Sequence, residues 1–376
     1  MNYGPTFLFF KNGPASTMPE SLHCRLFYLC QEHVYKAHDT SRGGGHGTTP
    51  RQSTHTSTHT HIQIYIHTCI VFYYRRCGDH LNYMKVGIAG LGLMGSGIAK
   101  RLINTDYEVS IYNRTGSKAQ HFSNKATVAL SPRELAEVCD LVITVVTDFD
   151  AVKSILFGTN GVIESGNRNN LIVADVSTIS PSQSEHCAQH LRNMGIEMLG
   201  IPVMGGPAAA EAGDLVPIVA GSKQAFEKVI QVIEKLGRTF YVGERDGSAN
   251  AIKLALNLNI ALVASAVSEG ITLVRRAGID PSIFIEILNS TYFKTGLSEK
   301  KGPKMVKNDF SPTFHLKNML KDLELATSTA QETGVTLPQT ALAQQTFRAA
   351  NNMGFSDQDY TSICAFLAKI NGLENK

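Results

Sequence analysis

Three glycines and one lysine are the residues whose types and spacing speak most directly to chemistry. Gly90, Gly92 and Gly95, with Leu93 and Met94 between the last two, follow a short apolar run from Met84 to Ala89. An amphipathic pattern from Ser96 to Thr105 and a second apolar run from Glu108 to Asn113 come directly after. A strand entering a Gly-x-Gly-x-x-Gly turn that opens a helix is the pattern of a dinucleotide site. Gly90 permits the tight turn, Gly92 lets backbone approach a pyrophosphate, and Gly95 lets helix and strand pack closely. The phosphates then meet free N–H groups at the positive end of the helix. The succession of strand, turn, helix and strand lifts the motif above a chance glycine loop.

The end of the second run distinguishes two cofactors. An NAD site carries Asp or Glu there, about 20 residues past the glycine turn, to bind the ribose 2′-hydroxyl. This chain has Asn113-Arg114-Thr115, followed by Ser117 and Lys118. With no carboxylate to repel it, a 2′-phosphate can take the planar donor fork of Arg114 and the hydroxyl of Thr115. NADP(H) is therefore expected in preference to NAD(H).

Lys253 and Asn257 stand one helical turn apart on a shared face. Hydride reduction of a carbonyl needs a proton for the new alkoxide. A lysine desolvated in a cleft has its pKa lowered enough to give that proton, or to take it in reverse. Asn257 can hold the same oxygen or a neighbouring hydroxyl. Spacing alone would leave both on a solvated surface, but Ala251, Ile252, Leu254, Ala255, Leu256 and Leu258 surround them almost without charge. That neighbourhood predicts a helix buried on most sides.

The elements that must position these groups follow an alternating pattern up to about Val242. Apolar runs at Val86 to Ala89, Val109 to Tyr112, Leu141 to Val146, Leu171 to Ala174, Glu197 to Ile201, Val216 to Ala220 and Thr239 to Val242 are separated by helical stretches, as in a doubly wound sheet. Beyond Gly247 the strand signal stops. Ser248 to Ala277 reads as one long helix with Ser248 as its N-cap and Gly278 as its stop, and Pro281, Pro303, Pro312 and Pro338 punctuate further helices. The fold class is thus an α/β Rossmann domain over residues 84–247 followed by an all-α C-terminal domain over residues 248–376, joined by a long interdomain helix. A cleft between them is the place for a substrate.

Residues 1–83 differ in kind. Nine of the 13 histidines and four of the seven cysteines lie there, and Ser41 to His61 is a Gly/Thr/His low-complexity run. The expectation is a poorly ordered, dispensable extension. Its spacings fit no metal-ligand framework, so no metal is expected beyond adventitious binding around His55, His59 and His61. Ile62 to Tyr74 is too short and too interrupted to span a bilayer, and Phe7 to Phe10 is too brief for a signal peptide.

The segment holds seven of the 35 Lys/Arg and four of the 32 Asp/Glu, leaving 28 of each from Met84 onward. A formally neutral remainder carries no basic field for nucleic acid. Cys139, Cys187 and Cys364 form no evident disulfide framework and fit a reducing cytoplasm.

From Met84 to about Gly372 the chain resembles the β-hydroxyacid dehydrogenases, the group of 3-hydroxyisobutyrate dehydrogenase and the glyoxylate/succinic semialdehyde reductases. The resemblance rests on the glycine turn, on Asp175-Val176-Ser177-Thr178-Ile179-Ser180-Pro181, on Pro202-Val203-Met204-Gly205-Gly206-Pro207, on Lys253 with Asn257, and on Lys321-Asp322-Leu323 after Phe314. It implies that Ser177 and Thr178 contact nicotinamide and the substrate carboxylate, and that Gly205 and Gly206 are backbone donors to substrate. It implies further that Val146 and Thr147 meet the cofactor, that Lys253 is catalytic with Asn257 as its partner, and that Lys321 reaches the cofactor from the helical side. Relatives are dimers or tetramers, so a homodimer or homotetramer is expected.

One departure bears on substrate. The usual Asp-Ala-Pro-Val-Ser-Gly-Gly turn here reads Gly200-Ile201-Pro202-Val203-Met204-Gly205-Gly206, so the acid and the serine are both replaced. Either the amides of Gly205 and Gly206 suffice for a carboxylate, or the substrate is less polar than the usual ones. The expected activity is reversible NADP(H)-dependent reduction of a small aldehyde acid to a β-hydroxy acid. Three alternatives stand beside it. The first is an NAD-dependent 3-hydroxyisobutyrate dehydrogenase, against which the absent acid at Asn113 speaks. The second is an imine reductase, a group that shares the Asn-Arg-Thr signature but carries Asp or Tyr where Lys253 stands. The third is a non-catalytic dinucleotide-binding interaction protein, which the presence of Lys253 disfavours.

Overall fold

The first strand, β1 (Val86–Ala89), is buried at all four residues and lies between two neighbours, β2 (Val109–Tyr112) and β4 (Leu141–Thr144). A strand covered on both faces and both edges must be apolar throughout, which is why it reads as a continuous rather than alternating run. With β3 (Thr127–Val128), β5 (Ile172–Asp175) and β6 (Glu197–Gly200) it forms a six-stranded parallel sheet in the order β3-β2-β1-β4-β5-β6. These coordinates are a computed structural model that describes residues 84–105, 107–168 and 170–373. The expectations for residues 1–83 lie outside the described residues.

Strand order reverses between β1 and β4, the switch point at which open α/β sheets bind ligands. Register aligns the strand ends there: Ala89 pairs with Thr144, and Thr144 with Asp175. The loops leaving β1, β4 and β5 therefore start level with one another, and these are the loops that carry Gly90, Val146 and Ser177.

Helix α1 (Leu93–Ile103) starts within the glycine turn, three residues ahead of the expected Ser96, because Gly92 serves as its N-cap. Helices α2 (Gly116–Gln120), α3 (Pro132–Val138), α4 (Phe149–Phe157) and α5 (Pro181–Asn193) fill the connections between the strands. Ser131, Asp148 and Ser180 cap the last three with side-chain oxygens.

The last two apolar runs do not extend the parallel sheet as expected. They join β7 (Val203–Met204), which no run marked, as β8 (Val216–Val219) and β9 (Phe240–Tyr241) of a separate mixed sheet in which β7 and β8 are antiparallel. Pro202 after β6 and Pro217 within β8 lack the N–H that a continued ladder would use. Helices α6 (Pro207–Ala212) and α7 (Lys223–Ile233) complete this part. Helix α6 crosses α1 closely at Gly97, where a Cβ would meet the Ala210 Cβ and the Pro207 carbonyl at 2.9 Å.

From Ser248 onward the named elements are helical: α8 (Ser248–Arg276), α9 (Pro281–Asn289), α10 (Gly296–Lys300), α11 (Gly302–Val306), α12 (Leu316–Thr333), α13 (Pro338–Ala350) and α14 (Ile363–Ile370), with short π and 3₁₀ turns before the last. Ser248 is the first helical residue and not the N-cap. That place belongs to Gly247, whose φ of 79° and contact with the Pro181 backbone leave no room for a side chain. Gly278, at φ 77°, ends α8 as expected.

Helix α8 is long and apolar enough to cross a bilayer, but it buries Asn250 against the Ile179 carbonyl, and Asn257 and Ser268 on the side packed against α12 and α14. It is not buried on most sides. Ala251, Ile252, Ala255 and Leu256 are exposed, since apolar composition does not distinguish a core-facing side from a side left for another surface.

Candidate active site

The three glycines do different physical work. A Cβ on Gly90, at φ 106°, would meet the Val145 carbonyl oxygen at 2.3 Å, and one on Gly95 would meet the Gly90 carbonyl oxygen at 1.9 Å. The fold itself forbids side chains there. Gly92 has ordinary φ, and a Cβ on it would meet nothing within 4 Å. Nothing in the protein requires glycine at 92, so the open cradle fits a bound group that approaches the backbone closely. Replacing Gly92 with alanine is accordingly expected to leave thermal stability almost unchanged while weakening NADPH binding by about tenfold or more, in the range of a lost close backbone hydrogen bond to phosphate. Calorimetric titration checks the affinity and a melting curve checks the fold.

Asn113 builds the same turn from its far side. Its Oδ1 accepts from the Leu91 amide at 2.8 Å and its Nδ2 donates to the Thr115 carbonyl at 2.9 Å. Arg114 and Thr115 follow, both exposed at the C-terminal end of β2, and Arg114 has no ion-pair partner among the described residues. A guanidinium held free beside a carboxylate-poor strand end suits an anionic group.

Behind the turn lies a buried polar chain that joins Ser177 and Val146 to Asp175 and Thr144, two residues to which the sequence alone assigned no function. Asp175, 1 % exposed, accepts from the Thr144 hydroxyl at 2.6 Å and from the Ser177 amide at 3.2 Å. Ser177 is itself buried, and its Oγ accepts from the Val146 amide at 3.1 Å. Desolvation pushes the Asp175 carboxyl up to about 6, against the hydrogen bonds from Thr144 and Ser177 and the charge of Lys321. Ser177 thus ties the loops after β4 and β5 together, with half-buried Val146 and Thr178 and exposed Thr147 on their rim.

The helical part closes on this rim through α12. Lys321 Nζ donates to the Thr178 carbonyl at 2.6 Å and pairs with Asp322 Oδ1 at 2.9 Å. Asp322 is 2 % exposed, and its other oxygen accepts from Asn257 Nδ2. A continuous path therefore runs from Asn257 on α8 through Asp322 and Lys321 to Thr178. Asp322 could have been singled out from the sequence as an acid in an apolar helix stretch, Met319-Leu320-Lys321-Asp322-Leu323, where only a paired charge is tolerated.

Lys253 faces the second sheet. Its Nζ donates to the Val203 carbonyl at 2.8 Å and lies 3.3 Å from Met204 Sδ. Burial lowers its pKa to about 8; Asp322 opposes that shift and Lys321 adds to it. A half-buried amine near neutrality is equipped to give or take a proton. Gly205, at φ 118° and backed by Leu215, and Gly206, the N-cap of α6, follow Met204. No described residue accepts from either glycine's amide.

Comparisons with known proteins agree with this arrangement. Residues 85–243 match the model of the NAD-binding domain of 6-phosphogluconate dehydrogenase, and residues 247–367 that of the NAD-binding part of NADP-dependent 3-hydroxyisobutyrate dehydrogenase. Glyoxylate/succinic semialdehyde reductase 2 of Arabidopsis thaliana is 31% identical over 76% of this chain and 80% of its own length. The 2-hydroxy-3-oxopropionate reductase of Escherichia coli is 30% identical over 74% of this chain and 96% of its own. The crystal structure of 3-hydroxyisobutyrate dehydrogenase from Salmonella typhimurium superposes with a TM-score of 0.69 at 26% identity, covering 75% of this chain and 99% of that one.

Proposed function

The chain belongs to the β-hydroxyacid dehydrogenase family and is an NAD(P)-dependent oxidoreductase, and from that premise we propose that it is a reversible NADP(H)-dependent reductase of small aldehyde acids with Lys253 as its general acid and base. The observation that carries this reading is the desolvated Lys253 ammonium, held at a pKa of about 8 beside the path from Asn257 to Thr178.

The nicotinamide, when bound, supplies hydride to the carbonyl carbon. Lys253 gives the proton that the resulting alkoxide needs, and in the reverse direction takes it from the alcohol. Thr178, Lys321 and the glycine turn hold the cofactor, with Val146 and Thr147 beside them. The free amides of Gly205 and Gly206, with Ser177, Thr178 and Asn257, hold the substrate. Support for NADP(H) comes from Arg114, whose fork has no competing acid at Asn113. Changing Arg114 to alanine is expected to weaken NADPH about 10- to 100-fold, the range of a lost charge-assisted hydrogen bond, and to leave NADH unchanged. The direct test follows NADPH and NADH oxidation with glyoxylate, succinic semialdehyde and 2-hydroxy-3-oxopropanoate. No turnover with any of them, or an Arg114→Ala variant with unaltered preference, would remove the corresponding part of the reading.

The protein works as a homodimer or homotetramer, a reading supported by exposed Ile252 and Leu256 on α8 and Ile283 and Ile287 on α9. Mass measurement in solution tests it. A cytoplasmic location is supported by Cys139, Cys187 and Cys364, which are free thiols in the structure.

A further inference from the structure

We propose that Met204 makes this site selective for aldehyde acids whose carbon next to the carbonyl bears no hydroxyl, a substrate class that rests on the reductase reading above and narrows it. The oxygen that Lys253 protonates must come within hydrogen-bond reach of Nζ, about 3 Å. Nζ itself sits 3.3 Å from Met204 Sδ and 2.8 Å from the Val203 carbonyl. With two N–H groups of the ammonium on Val203 and Met204, the reacting oxygen takes the third and lies roughly 5 Å from the thioether, a distance that lets a group on the adjoining carbon reach the sulfur.

With the amides of Gly205 and Gly206 taken by the substrate carboxylate, side-chain polar partners for such a group are few. The Asn257 amide nitrogen is committed to Asp322. Residue 204 offers only sulfur, a weak acceptor with no donor, and its side chain packs against the buried cluster of Ile218, Ala220 and Ala249. A serine in that position, as in the turn this one resembles, would supply a donor and an acceptor at once. A substrate hydroxyl entering here gives up water without regaining equal partners, whereas a plain methylene loses nothing. Apolar pockets reject an added hydroxyl by at most about 10²-fold, so the expected discrimination is about 10- to 100-fold in kcat/KM.

The test uses the full chain with NADPH and two aldehyde acids one hydroxyl apart, 3-oxopropanoate and 2-hydroxy-3-oxopropanoate, with succinic semialdehyde as a third substrate. The wild-type protein should favour 3-oxopropanoate by that factor. Met204→Ser should bring the ratio close to one by raising kcat/KM for the hydroxylated substrate, and Met204→Leu should keep the wild-type ratio. Met204→Thr, whose branched side chain suits strand β7, repeats the serine comparison should the serine variant fold poorly. NADPH titration and melting curves report on the fold of each variant. A wild-type ratio near one, as when the Asn257 carbonyl accepts the hydroxyl, overturns the selectivity and leaves the reductase standing. So does a ratio that neither hydroxyl variant moves. Absence of turnover with all three aldehydes while NADPH binds removes the reductase reading and the selectivity with it.

Discussion

Replacing Lys253 with alanine is expected to lower kcat/KM for aldehyde reduction by about 10²- to 10⁴-fold, the range for losing a positioned general acid, while NADPH binds almost as before. The separation follows from place. Lys253 Nζ contacts Val203 and Met204 in the second sheet, whereas the phosphate cradle belongs to Gly92 and the start of α1. Burial brings the amine to about 8, which fixes the sign of the pH dependence. Reduction needs the charged ammonium, so its kcat/KM should hold below about 8 and fall above it. Oxidation needs the neutral amine and should rise with pH through the same point. A midpoint near the ordinary 10.5 of lysine, or profiles of equal sign in both directions, would take Lys253 out of the mechanism.

Loss of the Asp322 carboxylate should reach further than its position suggests. Asp322 is 2 % exposed and holds Asn257 on one oxygen and Lys321 on the other. Asp322→Ala leaves Asn257 Nδ2 without its acceptor and Lys321 with the Thr178 carbonyl alone, and is expected to cost about 2–3 kcal/mol of stability, the scale of charged hydrogen bonds. The larger cost of breaking a fully buried pair is discounted because Lys321 still reaches water. Asp322→Asn keeps the shape and removes the charge. Because Asp322 raises the Lys253 pKa, its midpoint should move to lower pH in that variant. Chemical denaturation reads the first effect and the kcat/KM profile the second. An unmoved midpoint in Asp322→Asn would show that Asp322 acts on structure alone.

Much of this was legible in the chain because its physics is local. The glycine turn and the central strands follow from short-range pattern, and the stop of α8 from Gly278. What was not legible depended on contacts between distant segments. Strands β3 and β7 have two residues each, too few for any periodicity to register. The separate three-stranded sheet follows from Pro202 and Pro217 meeting a ladder that only the folded chain defines. The N-cap of α8 moved from Ser248 to Gly247 because the Pro181 backbone lies against it, 66 residues earlier in the chain. The exposed side of α8 was misjudged because Ile252 and Leu256 are as apolar as core residues. Met204 was visible as a departure in the substrate turn, but its place beside the Lys253 ammonium required the fold.

The burial of Cys139, Cys187 and Cys364 has a consequence for durability. Burial raises their thiols to about 12, 12 and 11 respectively, so at neutral pH almost none is thiolate. Aldehydes are electrophiles that add to sulfur nucleophiles. On the reductase reading proposed above, a catalyst exposed to them on every turnover needs its own soft nucleophiles sheltered from covalent capture. Among the described residues these three thiols are withheld from that side reaction.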